Sequence, residues 1–184
     1  MNETILNRIR GTRISHFSLM KFGHLNYNVC VILHLESGLA FEIKCREFKF
    51  GRYESDTLGV GEHRKKSETE ANNDGWTIDT VKADWEVDTI ETIERQDWLQ
   101  PSSGEFETIG NNPISHAWGP IGTAPKQASH TAIVTSSIVF ASDLRDHQAM
   151  ISLVDYPGLV SFTTSAQEIA SMRKEYGTKR KISR

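Results

Sequence analysis

Cysteine is almost missing from this chain. Cys30 and Cys45 are the two in 184 residues, too few for a disulfide scaffold and too far apart in sequence for a CxxC metal or redox site. Long apolar runs are missing too: no segment approaches the ~18 residues a membrane helix needs. The opening Met1-Asn2-Glu3-Thr4-Ile5-Leu6-Asn7-Arg8 lacks the basic start and apolar core of a secretory leader, which makes a cytoplasmic protein the expectation. Named catalytic motifs are absent: no GxxxxGK[ST] phosphate loop, no GxSxG elbow and no HExxH. Gly59-Val60-Gly61 is a lone GxG, with Arg64 where a dinucleotide fingerprint needs its third glycine. The seven histidines include no i, i+4 pair that would set two metal ligands on one helix face. No metal or cofactor is implied, and the reading leans away from an enzyme.

Charge of one sign is abundant instead. Between Glu68 and Glu107 twelve carboxylates face only Lys82 and Arg95, which leaves ten negative charges in forty residues. The remaining nineteen basic and twelve acidic residues leave seven positive charges, so a net charge of −3 hides a strong polarity. Such a field selects partners and speeds encounter without catalysing anything. Trp76, Trp85 and Trp98 lie in the same stretch. Acidic side chains around large aromatics suit a protein-binding face, although the default reading of such a stretch is a solvated sheet face with its aromatics turned inward.

Hydrophobic periodicity organises the chain. Glu3 to Ile9 reads as a short helix capped by Asn2, and Arg13 to Phe22 as a strand. Val29 to Leu35 and Leu39 to Cys45 read as a hairpin over a two-residue Ser37-Gly38 loop, pairing His34 with Phe41, Ile32 with Ile43 and Cys30 with Cys45. The cysteines then fall on a hydrogen-bonded pair, too widely spaced for a comfortable disulfide, so two buried thiols are expected. A one-residue slip would separate them altogether. Gly51 to Gly75 reads as a surface connection. Val81 to Thr89 alternates strictly and reads as one strand, with Asp84, Glu86 and Asp88 projecting to one side at ~6–7 Å intervals. Ile90 to Leu99 fits strand or helix.

Residues 101–130 hold four of the five prolines and four glycines, the composition of a long loop. Trp118 in that loop is either an anchor to the core or an offered surface. Ala132 to Ala141 reads as a strand, and Met150 to Val154 pairs with Leu159 to Thr163 through a Pro157-Gly158 type II turn. The expected shared face is Ile151, Leu153, Val160 and Phe162. Ser165 and Glu168 form a capping-box pair that opens a helix, with Ile169, Met172 and Tyr176 on one side and Gly177 at its end. The tail from Lys179 to Arg184 reads as frayed. His34 with Glu36, and Asp143, Arg145, Asp146 and His147 in one connection, are the local groupings that carry any chemistry.

These features predict an α+β fold, mainly antiparallel sheet with short N-terminal and C-terminal helices packed on it. The chain reads as a single domain over 1–184, with β-rich halves 1–100 and 131–184 joined by 101–130 as the divided alternative. The expected function is non-enzymatic protein binding, with Asp84, Glu86, Asp88, Glu91, Glu94 and Trp118 as partner-binding residues. Its most concrete version is an immunity or antitoxin-type protein that covers the basic surface of a toxin. A hydrolytic enzyme with a His/Asp site assembled in the fold, and a phage or other assembly subunit, are the alternatives. Nucleic acid is disfavoured because the acidic stretch repels phosphate, membrane is not expected, and a homodimer stays open.

Overall fold

A computed structural model describes residues 3–23, 25–50, 53–63, 76–98, 100–101, 131–143, 146–154, 156–175 and 179–182. The fold is α+β and mainly antiparallel. Helix α1 (Glu3–Ile9) leads into β1 (Arg13–Phe22), β2 (Cys30–Leu35), β3 (Ala40–Phe50), β4 (Tyr53–Glu62) and β5 (Trp76–Glu86). Strands β6 (Thr89–Trp98), β7 (Gln100–Pro101), β8 (Thr131–Ala141), β9 (Gln148–Leu153) and β10 (Val160–Thr163) follow, then α2 (Ala166–Glu175) and β11 (Lys179–Ile182). Among the described residues the strands form two sheets, ordered β5-β1-β2-β3-β4-β7 and β10-β9-β8-β6-β11.

The two sheets share one core because strand alternation turns an apolar set from each toward the other. Phe17, Val31, Leu33, Phe41, Ile43, Leu58 and Trp85 from the first sheet meet Ile90, Ile138, Phe140, Ile151 and Val160 from the second. Leu6 and Ile9 of α1 join this core. The intervening positions of the second sheet, Ile93, Val139 and Met150, face outward and are covered by Ile169 and Met172 of α2. Strands β8 and β9 are therefore buried on both faces, as a helix-covered sheet requires. An isolated bridge between Asn28 and Val160 ties the sheets together, each N–H donating to the other's carbonyl at 2.8 Å.

The β2–β3 hairpin departs from the expected register by one residue: Leu33 lies opposite Phe41, Val31 opposite Ile43 and Cys30 opposite Lys44. Its loop has three residues, with the Gly38 N–H donating to the Leu35 carbonyl at 3.0 Å and Gly38 at φ +85°. A three-residue loop closed by a left-handed glycine is a common alternative to the two-residue turn. A two-residue loop would have placed Val31 and Leu33 on the face opposite Phe41 and Ile43. The shared core excludes that register. The slip separates the cysteines, and both are free thiols.

Three further segments differ from expectation. The stretch read as a surface connection contains β4, paired along its length with a β3 that runs on to Phe50. Gly59 leaves room for a neighbouring side chain: Arg46 lies across it, where an added Cβ would sit 2.1 Å from Arg46 Cδ. The single strand expected over Val81 to Thr89 is two strands, β5 ending at Glu86 in one sheet and β6 starting at Thr89 in the other. Val87 is pinned at the corner, donating to the Thr12 carbonyl (2.9 Å) and accepting from the Gly11 N–H (2.7 Å). The tail is not frayed over Lys179–Ile182, which forms β11 against β6 with Ile182 opposite Ile90.

The C-terminal hairpin has the expected register, Val160 opposite Leu153 and Phe162 opposite Ile151, over a turn with Gly158 at φ +80°. Ile90 to Trp98 resolves as strand. Asn2, Arg64, Trp118, Arg145, Tyr176 and Gly177 lie outside the described residues, as do residues 102–130 of the segment expected to be a loop.

Candidate functional site

The acidic residues singled out by the sequence fall in four environments. Strand β5 is an edge strand, and it carries one more residue between Lys82 and Trp85 than β1 has between Ile14 and His16. This bulge places Asp84 at φ +53°, a conformation Asp tolerates better than most residues. Asp84 Oδ1 accepts from Arg13 Nε at 2.9 Å, and the Asp84 carbonyl accepts from Arg13 Nη2 at 3.3 Å. The hydrogen bond and charge of Asp84 push the Arg13 guanidinium above its ordinary value, and Glu36 and Glu86 add to the effect. Glu86 is exposed and lies opposite Arg13. Together Arg13, Glu36, Asp84 and Glu86 make an open surface cluster in which carboxylates outnumber the guanidinium.

Asp88 sits past the corner, not in a row with the other two. Its Oδ2 accepts from Ser142 Oγ at 3.1 Å and the Asp143 N–H at 2.8 Å, so it closes the β8–β9 turn. Trp85 is buried beside it, with the His147 ring stacked 6.3 Å away. Glu91 points outward from β6 and receives both Arg173 Nε (3.0 Å) and Nη2 (2.9 Å) on Oε2, which locks α2 to the sheet. Glu94 is half-buried beyond a register shift in β6. Asp84 and Glu86 are thus the two of this group that the fold leaves at the surface.

One constellation was not visible in the sequence. His16 and His34 lie opposite each other on β1 and β2, with ring centroids 4.1 Å apart and planes 10° from parallel. Ser15 Oγ lies 2.9 Å from His16 Nδ1, and Ser18 Oγ 3.0 Å from His34 Nε2. A hydroxyl against an imidazole is the first half of a nucleophile–base pair. Ser18 is only 8% exposed, however, and lies mid-strand with paired neighbours on both sides. The geometry suits a satisfied buried polar network better than an attacking group. Glu36, expected beside His34, instead approaches Arg13 at 3.3 Å. The signal for the histidine pair was the β1–β2 register, which a six-residue connection of unspecified geometry does not fix.

Cys30 is buried, as expected, whereas Cys45 is only half-buried. Cys30 Sγ lies 3.3 Å from Met20 Sδ. Burial pushes each thiol up to about 11, with Glu42 adding to the effect at Cys30 and Asp56 at Cys45. Among the described residues no group of three or more His, Cys, Asp or Glu is placed to hold a metal ion, and no helix is long and apolar enough to cross a membrane. No protein-family model matches the chain, and neither the curated proteins nor the solved structures compared with it give a match.

Proposed function

We propose that the protein is a non-enzymatic binding domain whose partner presents a basic surface to the Asp84–Glu86 end of β5. The observation that carries this reading is the exposed, locally acidic cluster that the bulge at Asp84 turns out from an open sheet edge. Charges arranged this way steer and orient a partner more than they stabilise the fold. An immunity-type protein that covers a basic toxin is the most concrete version, because blocking a basic active surface needs complementary charge and no chemistry. A hydrolytic alternative would run through Ser18 and His34, and the burial of Ser18 argues against it. The test is capture from the native host with wild type and with the Asp84→Asn, Glu86→Gln double variant, at low and high salt. A basic protein should be retained by wild type at low salt and lost in the variant. For the immunity version, that protein's toxic activity should vanish on binding. Equal retention by both proteins at both salt concentrations would remove the acidic cluster from recognition.

A further inference from the structure

The other end of β5 is built differently. From Trp76 to Lys82 it pairs with β1 without interruption, and its other edge has no strand against it among the described residues. Thr77, Ile78, Asp79 and Thr80 are all exposed, Ile78 at 53%. Ile78 lies opposite Met20, and Phe22, two residues further along β1 on the same face, is 49% exposed. Natural edges of this length are normally blunted by charge, proline or a bulge. Here the bulge and the exposed Lys82 protect the Asp84 end, and Asp79 has its charge answered within the chain by Lys21 at 2.7 Å.

We propose that Trp76–Thr80 is the pairing edge of a homodimer, in which β5 adds antiparallel to β5 of a second copy and joins the two first sheets into one. This is independent of the partner-binding reading. A strand paired antiparallel with its own copy sits on a two-fold axis normal to the sheet, and that axis preserves the face of every residue. Allowed registers are therefore those in which one residue faces itself. Centring on Asp79 opposes two carboxylates, and centring on Thr80 sets Ile78 against Lys82. Centring on Ile78 sets Ile78 against Ile78, Thr77 against Asp79 and Trp76 against Thr80. Of these three registers it is the one that sets apolar against apolar and opposes no like charges, so a second copy fits this edge without any change of sequence.

Sedimentation velocity over a range of concentrations tests the proposal, using wild type, Ile78→Lys, Ile78→Asp and an equimolar mixture of the two variants. Wild type should dimerise, each variant should be monomeric because it opposes like charges at the axis, and the mixture should dimerise again. Ile78 is exposed, and unchanged circular dichroism of the variants confirms that the fold is intact. A wild type that stays monomeric throughout, variants that still dimerise, a mixture that stays monomeric, or wild-type growth beyond a dimer would each overturn it.

Discussion

Gly59 shows how a single residue decides a local arrangement. Replacing a strand glycine by alanine normally stabilises through the unfolded chain by about 0.4–1 kcal/mol, but here the new methyl meets Arg46 Cδ, Nε and Cγ, all within 2.6 Å. Displacing that side chain should reverse the sign, with Gly59→Ala costing about 1–3 kcal/mol as in other overpacked sites. In an Arg46→Ala background the same change should be neutral or stabilising. A double-mutant cycle from urea midpoints reads this coupling directly, and additive effects would mean that Arg46 has another place to lie. The thiols make a second prediction. Their folded values, about 11, stand above the ordinary 9.0. The protonated form is therefore favoured by folding, and the stability it contributes is complete below about pH 9 and lost as pH rises toward 11. Iodoacetamide should label neither cysteine of the folded protein appreciably at pH 8, and both in urea, as followed by intact mass.

At the scale of elements, α2 rests on a cap that extends beyond the expected pair. Ser165 Oγ accepts from the Glu168 N–H at 3.3 Å, as a capping box requires. The Glu168 carboxylate, however, turns to the hydroxyl of Thr163, which also accepts from the Ser165 N–H at 3.1 Å. Thr163→Val should then cost at least as much as Ser165→Ala, for which about 0.5–2 kcal/mol is usual. Chemical denaturation of both variants measures the order. This element also shows what was legible in the sequence. Where a turn's chemistry and the core's parity agree, as at Pro157-Gly158 and in the Val160/Phe162 face, strand and register followed from the residues alone. The Ser37-Gly38 loop admitted two lengths, and only the shared core chose between them. Strand β4 was obscured because its glycines, polar residues and acidic residues resemble a loop until Arg46 fills the space above them. The break at Val87 was hidden because Asp88 and Thr89 continue the alternation of Val81 to Val87 in the sequence, whereas in the fold the inward phase shifts at the corner, from Val87 to Ile90.

For the molecule as a whole, part of the polarity of the sequence is folded back on itself. Arg13 meets Asp84, Lys21 meets Asp79 and Arg173 meets Glu91, each pair joining a base from the positive remainder to a carboxylate of the acidic stretch. These three contacts differ in shelter. The Asp84 and Asp79 side chains are 74% and 57% exposed, whereas that of Glu91 is 16% exposed and receives two guanidinium donors on one oxygen. Exposed pairs contribute roughly 0–1 kcal/mol and are screened by salt, while a charge-assisted bond with a sheltered partner contributes about 1.5–3 kcal/mol. Glu91→Gln should therefore lower stability more than Asp84→Asn or Asp79→Asn, because it also loosens α2 from Ile93 and Met150 beneath it. The ranking is checked by urea unfolding at 0.05 and 0.5 M salt. Wild type should change by no more than about 1 kcal/mol between the two, given the small worth of the exposed pairs. Equal losses in all three variants would mean that the acidic stretch is held by its overall field and not by the bond that docks α2.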